Sequence, residues 1–401
     1  MEPASPRRAS ARAVDRALSA RGLEGRVQEL PASTRTADDA ALAVGCETGQ
    51  IVKSLVFRGR SSGRPLLALV AGDHRLDEGW MARFTGEPIE RADPEFVRSA
   101  SGFAIGGVPP LGHPAPLATF IDYDLLERRE IWAAAGHPNA VCRLSPTELL
   151  EVTDGRPVPV VPLAIPDGPD RPWVSFDCFG TLVDWRTGLL RSLDRAIGTD
   201  LPTVRDRLFA TYLAEERRIE AGPYRSYRQI VPAALAGAAR AVDRDVDPEW
   251  LGRVVDDLPD WPLFDDTAVA LDLLRGAGRS VAILSNIDRD LLDVTLRHHG
   301  LRVDLTVTAE DTRSYKPAPA HWIRFLKSTG ASPSETLHCA GAYDYDLPPA
   351  ARLGFRTAYI ERFPGAPYGP AAGTVVPDLR ALLSVVGIEP GGGSTELARG
   401  P

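Results

Sequence analysis

The sequence predicts an α/β protein of two domains, a mixed α+β domain followed by a parallel sheet layered between helices. Three observations carry this. The chain has 401 residues, beyond the ~100–200 of one ordinary domain. From Arg156 to Pro172 it reads RPVPVVPLAIPDGPDRP, with prolines at 157, 159, 162, 166, 169 and 172. Proline fixes φ and lacks an N–H, so this stretch is neither helix nor central strand and reads as an extended linker. Beyond it, short apolar runs alternate with helical segments, the order of a parallel sheet covered on both faces.

In the first domain (1–156), Thr36 caps a helix over Ala37–Val44 that Gly45 stops. Ile51–Phe57 is apolar and partly β-branched, hence a strand, and period two puts Ile51, Lys53, Leu55 and Phe57 on one face. Leu66–Val70, Thr119–Asp122 and Ile131–Ala135 are further strands. Ser145-Pro-Thr-Glu148 is a capping box that starts a helix over Pro146–Val152. The linker spans 157–172 and the second domain 173–388. In that domain the strands are Trp173–Phe176, Val281–Leu284, Leu337–Ala340 and Thr357–Ile360, separated by helices such as Asp266–Arg275, Arg289–His298 and Ala320–Ser328. Residues 389–401, rich in Gly and Ser, are expected to be disordered.

Composition narrows the function. With 44% hydrophobic and 25% charged residues, both domains can bury a core. A net charge of −8 excludes a polybasic nucleic-acid coat and an anionic-membrane binder. No apolar run nears the ~20 residues of a membrane span, and Met1–Ala13 lacks the apolar core of a secretory signal. Cys46, Cys142, Cys178 and Cys339 form no CxxC pair, so neither a disulfide framework nor a zinc site is expected, and the cytoplasm fits. Only three residues are lysine, Lys53, Lys316 and Lys327. A lysine kept in an arginine-using chain suggests a site that needs a compact ammonium. Lys327 reads as helix surface; the other two mark candidate sites.

Lys53 shares its strand face with three apolar residues, and most such lysines only extend their ammonium to water. Gly106-Gly107-Val108-Pro109-Pro110 raises it above that: paired glycines let backbone approach a ligand and aim N–H groups at an oxygen. The segments TADDAALAVGCETGQIVKSLVF, LLALVAGDHRLD, FAIGGVPPLG and AAAGHPNAVCRLSPTELL, in that order over roughly residues 28–155, resemble the YbaK/ProX-type aminoacyl-tRNA deacylases. These are free-standing editing domains related to the insertion domain of prolyl-tRNA synthetases. The resemblance implies hydrolysis of the ester joining a wrong amino acid to the tRNA 3′ end. It places Lys53 at the family's lysine and Gly106 and Gly107 in its glycine loop, with water activated largely by the substrate. Backbone donors of the loop suit a tetrahedral oxyanion. His113 and His137 are candidate pocket residues. Contact with only the last nucleotides needs few phosphate contacts, which reconciles tRNA as partner with an acidic chain.

In the second domain, Trp173-Val-Ser-Phe-Asp177 ends a strand with a carboxylate able to act as nucleophile. Ser285-Asn286 ends another strand, Ser314-Tyr-Lys316-Pro supplies the second lysine, and Gly341-Ala-Tyr-Asp344-Tyr-Asp346 follows a third. This ordered set resembles the haloacid dehalogenase superfamily across about residues 172–385. The resemblance implies a Rossmann-like core with a helical cap over about 189–260. It makes Asp177 the nucleophile, Lys316 its stabilising cation, Asp346 the fourth-motif acid, and Ser285 and Asn286 substrate-binding. Arg225 in the cap is a candidate clamp for an anion. Phosphatases of the superfamily carry an aspartate two residues after the nucleophile; here Phe179 stands there and cannot protonate an alkoxide. Ala340-Gly341 replaces their metal-binding Gly-Asp. The expected chemistry is therefore metal-free displacement on a small acid, of dehalogenase type, without a cofactor. The alternative is a phosphatase holding Mg²⁺ with Asp177, Asp344 and Asp346.

The whole chain thus reads as a bifunctional hydrolase acting on misacylated tRNA ends and on a small molecule, with no membrane or DNA partner. The alternative makes the second domain the main activity and the first a non-catalytic binder of tRNA or an amino acid.

Overall fold

The computed structural model describes residues 6–30, 36–165, 171–197 and 201–389. The chain divides into two compact units, Met1–Pro166 and Asp167–Pro401. Residues 166–170 of the expected linker and 390–401 of the expected tail lie outside the described residues.

The first unit is built on an 8-stranded mixed sheet. Its strands are β1 (Val27–Glu29), β2 (Ile51–Gly59), β3 (Pro65–Ala71), β4 (Ile89–Arg91), β5 (Ala118–Asp122), β6 (Ile131–His137), β7 (Ala140–Leu144) and β8 (Arg156–Val158). Their order is β1-β7-β6-β2-β3-β5-β8, with β4 paired to the far end of β2. The expected helix starts hold: both Thr36 and Ser145 form reciprocal capping boxes, and Gly45 ends its helix at φ 74°. The longest hairpin, β2–β3, sets Lys53 opposite Val70. On the Lys53 face of β2, Ile51 packs with Ala40 and Ala41, while Leu55 and Phe57 belong to a second cluster with Val70, Met81 and Phe120. Lys53 therefore stands between two apolar clusters.

One boundary differs from expectation. The linker was expected from residue 157, yet Arg156–Val158 pairs parallel with β5, and Val158 and Val160 are core residues. Pro157 is tolerated because β8 lies at the sheet edge, where a missing N–H costs no ladder bond. Short strands such as β1, β4 and β7 carry too little pattern to be read from sequence, and they are held by their neighbours rather than by propensity.

The second unit is a 6-stranded, all-parallel sheet. Its strands are β9 (Trp173–Phe176), β10 (Ser280–Ser285), β11 (Leu305–Thr308), β12 (Leu337–Ala340), β13 (Arg356–Ile360) and β14 (Thr374–Val376), in the order β11-β10-β9-β12-β13-β14. β10 is buried along its whole length, as a strand covered on both faces should be. β9, β10 and β12 are neighbours, so their carboxyl ends bring Asp177, Ser285-Asn286 and Gly341 together. Helices Trp185–Ile197, Leu201–Glu220, Tyr227–Ala241 and Pro248–Arg253 form the insertion between β9 and β10. Its first helix begins at Trp185, slightly before the expected cap.

Candidate active sites

Asp177 follows β9 directly and is buried; its backbone N–H donates to the Cys339 carbonyl at 3.0 Å, prolonging the β9–β12 ladder. One carboxylate oxygen, Oδ1, accepts from Lys316 Nζ at 2.8 Å, and Oδ2 accepts from Thr181 Oγ1 at 2.8 Å. Lys316 spends its remaining two N–H groups on Asp346 Oδ1 at 2.6 Å and the Leu284 carbonyl at 3.0 Å. It is only 2% exposed, and a guanidinium fork could not replace this compact three-way contact. Burial works against the ammonium, but Asp177 and Asp346 together hold the Lys316 pKa above its ordinary value. Burial likewise opposes ionisation of Asp346, yet Lys316 and His338 keep that carboxyl below the ordinary range.

The sequence reading missed three groups that complete this arrangement. His338 on β12 places Nε2 3.1 Å from Asp346 Oδ1, and its Nδ1 lies 2.9 Å from Ser175 Oγ on β9. Ser175 and Asp346 thus hold the His338 ring from its two nitrogens. Thr181 also accepts from the Gly341 N–H at 2.8 Å, tying the Asp177 loop to the end of β12. A Cβ on Gly341 would lie 2.2 Å from the Gly180 carbonyl oxygen, so glycine is demanded there. His338 and Ser175 are strand-interior residues in sequence, and only the register of β9 against β12 (Ser175 opposite His338) reveals their pairing.

Asn286 clamps the backbone of Lys316: its Oδ1 accepts from the Lys316 N–H at 2.7 Å and its Nδ2 donates to the Lys316 carbonyl at 3.3 Å. Asp177, Phe179, Ser285, Asn286, Lys316 and Asp346 line one cavity of about 120 Å³. Phe179 packs edge-on against Trp261 at 6.1 Å. Two expectations fail. Arg225 does not reach this cavity; its backbone is fastened to the Tyr315 hydroxyl, and its exposed side chain lines a separate groove with Arg218 and Arg240. Asp344 is exposed on the outer side of its helix, so the set Asp177, Asp344 and Asp346 is not assembled. Among the described residues no group of three His, Cys, Asp or Glu side chains is arranged to hold a metal.

In the first unit, a cavity of about 330 Å³ is lined by Lys53, Gly106, Trp132 and His137 together with apolar side chains. Lys53 Nζ donates to the carbonyls of Gly72, at 3.0 Å, and of His74, leaving one N–H for a ligand. Burial pulls its pKa down, against the pull of Asp73 and Asp122. His74 is itself pinned: Nδ1 lies 2.9 Å from Asp122 Oδ2 and Nε2 2.8 Å from Asp124 Oδ2. Its hydrogen bond to Asp122 raises its pKa, so the ring is held as the cation. His74 was legible only as part of GDHRLD; its two carboxylates come from Asp122 at the end of β5 and Asp124 in the short helix Tyr123–Leu126.

The two glycines have different duties. Gly106 adopts φ 84° and lines the cavity. Gly107 is buried, donates its N–H to Ala104 at 3.0 Å, and would place a Cβ 3.0 Å from the backbone of Gly136 and His137. Its N–H is thus spent on the turn, contrary to the expected role as oxyanion donor. His137 reaches the cavity and accepts from the Asn139 N–H at 3.1 Å. His113 does not: it packs edge-on against Phe103 and donates to the Ser101 carbonyl at 3.2 Å.

The family model described as aminoacyl-tRNA editing domain matches residues 31–152, and that described as haloacid dehalogenase-like hydrolase matches residues 173–354. The first unit is similar to EbsC of Enterococcus faecalis, a candidate Cys-tRNA(Pro)/Cys-tRNA(Cys) deacylase, at 27% identity over 30% of this chain and 74% of the relative. It is also 52% identical to a solved structure of a proposed trans-editing enzyme for prolyl-tRNA synthetase, covering 40% of this chain and 99% of that one, with a TM-score of 0.37. The second unit is similar to (S)-2-haloacid dehalogenase 4A of Burkholderia cepacia, at 26% identity over 47% of this chain and 81% of the relative. The chain therefore carries an aminoacyl-tRNA editing domain in its first unit and, in its second, a domain that matches the haloacid dehalogenase-like hydrolases.

Proposed function

We propose that the chain carries two separate hydrolytic sites: a deacylase of misacylated tRNA at Lys53, and a covalent hydrolase of a small electrophile at Asp177. The observation that carries the second is the buried Lys316 ammonium shared by Asp177 and Asp346. It sets an ammonium beside the buried Asp177 carboxyl and offsets part of the burial that raises its pKa. An oxygen of Asp177 attacks the carbon bearing the leaving group; that bond breaks and the group departs as an anion with its electron pair. Water then adds to the carboxyl carbon of the aspartyl ester, the acyl–oxygen bond breaks, and the alcohol leaves with one of the water protons. Asp177 is regenerated with one oxygen from water. Asp346 Oδ2, buried and without a hydrogen-bond partner, lines the cavity and is suited to orient that water. An anionic leaving group needs no general acid, which agrees with Phe179 standing beside the nucleophile.

At the first site, Lys53 contributes its remaining N–H to a phosphate or ester oxygen of the tRNA terminus. Gly106 lets backbone approach the scissile carbonyl. The EbsC relative makes Cys-tRNA(Pro) the substrate to try first, with Ala- and Ser-tRNA(Pro) tested beside it.

The test has two arms. Deacylation of that tRNA panel by wild type and Lys53→Ala should show cleavage that the variant loses. Whichever of chloroacetate, 2-chloropropionate and 3-chloropropylamine is turned over in ¹⁸O-water should place label in the Asp177 carboxyl; label found only in the alcohol product would contradict the covalent route.

A further inference from the structure

The cavity around Asp177 was expected to take a small acid, and the one arginine proposed to hold it points elsewhere. What lines the cavity is the opposite of an anion site. Its charged groups are four carboxyls, Asp177, Asp346, Glu216 and Glu220, against the single ammonium of Lys316. That ammonium is already committed to Asp177, Asp346 and the Leu284 carbonyl. Glu216 and Glu220 come from the last turn and a half of the Leu201–Glu220 helix, one turn apart, and so face the cavity together.

Neither glutamate is held in a described ion pair: Arg217, and for Glu220 also Lys316, only partly oppose the burial that raises both carboxyls. Glu216 accepts from the hydroxyls of Tyr212 at 2.7 Å and Tyr227 at 2.6 Å, both on Oε1. Glu220 has one long contact, 3.4 Å, from Asn286 Nδ2. Burial, and then the neighbouring Glu216, push the Glu220 carboxyl up to about 9. A carboxyl pair facing a cavity without an ion-pair partner is a site awaiting either protons or a cation. The walls decide between them. Trp185, Tyr227, Trp261 and Tyr345 line the same space with Phe179, and aromatic faces attract organic cations. Asp346, whose buried Oδ2 has no hydrogen-bond partner, lines the same cavity and adds one more acceptor.

We infer that the second site takes a small organic cation, an ammonium-bearing electrophile whose charged end lies between Glu216, Glu220 and the aromatic walls while its electrophilic carbon faces Asp177. The orientation of the electrophile rests on the reading of Asp177 as nucleophile; the cation preference rests on the cavity alone. Glu216 and Glu220 are then specificity-determining residues, and the loss of a small-acid substrate follows from the same charges. A carboxylate placed there would meet two glutamates and no free cation.

Two alcohols of similar size and opposite charge test this: ethanolamine and glycolate, the hydrolysis products of a haloethylamine and of a haloacetate. Calorimetric titration of the full-length protein with each, at equal ionic strength and neutral pH, should show ethanolamine binding and glycolate not. Glu220→Gln and Glu216→Gln should each weaken ethanolamine at least tenfold. Glycolate binding in preference to ethanolamine would overturn the inference, as would ethanolamine affinity unchanged in both variants. Because binding is read without turnover, this result is independent of whether ¹⁸O enters Asp177.

Discussion

At the scale of single residues, Lys316 and His74 do comparable work in different currencies of charge. Lys316 bridges two buried carboxylates, so Lys316→Met leaves Asp177 with only the Thr181 hydroxyl and Asp346 with only His338. Breaking a buried pair in this way costs about 3–5 kcal/mol. Thermal unfolding of the second unit should shift down accordingly, and turnover should fall by at least ~10²-fold, as when a preorganised donor is removed. Retained turnover with a normal melting curve would mean that the bridge is not needed. His74 is cationic between Asp122 and Asp124, and its folded pKa is raised above the ordinary ~6.5. Its stabilising effect is therefore complete below about pH 6.5 and is lost as pH rises through the folded value. His74→Gln should flatten that part of the melting-temperature profile and loosen the carbonyl that holds Lys53, lowering deacylation as well. A profile identical to wild type would remove His74 from the account.

At the scale of elements, the carboxyl ends of β9, β10 and β12 converge because parallel strands place their loops on one edge. Glycines set how closely those loops approach. Gly341→Ala would push a methyl into the Gly180 carbonyl and part the Thr181 bridge, so second-site turnover should drop while deacylation is unaffected. Gly107→Ala should do the reverse, by lifting the glycine loop from β6. Selective loss at one site, measured by running both assays on each variant, is the expected outcome; loss of both activities in either variant would contradict it. Much of this was legible in the sequence. Capping boxes, apolar strand runs and the order of Asp177, Ser285-Asn286, Lys316 and Asp346 are local signals, and each lies where it was expected. What was not legible depends on register or on an inserted element. Ser175 and His338 look like ordinary strand residues until β9 pairs with β12. Glu216 and Glu220 look like a solvated helix end until the Leu201–Glu220 helix contributes them to the cavity. Arg225 and His113 were chosen by residue type, and the packing of Tyr315 and Phe103 turns them away from the sites.

At the scale of the whole molecule, each unit has its own sheet, its own apolar clusters and its own cavity. No described helix is long and apolar enough to cross a membrane. Charge is distributed to match the two chemistries. The first cavity presents a lysine with a lowered pKa and a histidine, while the second surrounds one committed lysine with four carboxyls. Hydrolysis at two independent sites on one chain can be tested directly. The most direct measurement is deacylation of Cys-, Ala- and Ser-tRNA(Pro) by wild type, Lys53→Ala and Asp177→Asn side by side. Lys53→Ala should abolish cleavage and Asp177→Asn should leave it at the wild-type rate. Cleavage that survives in Lys53→Ala, or disappears in Asp177→Asn, would contradict it.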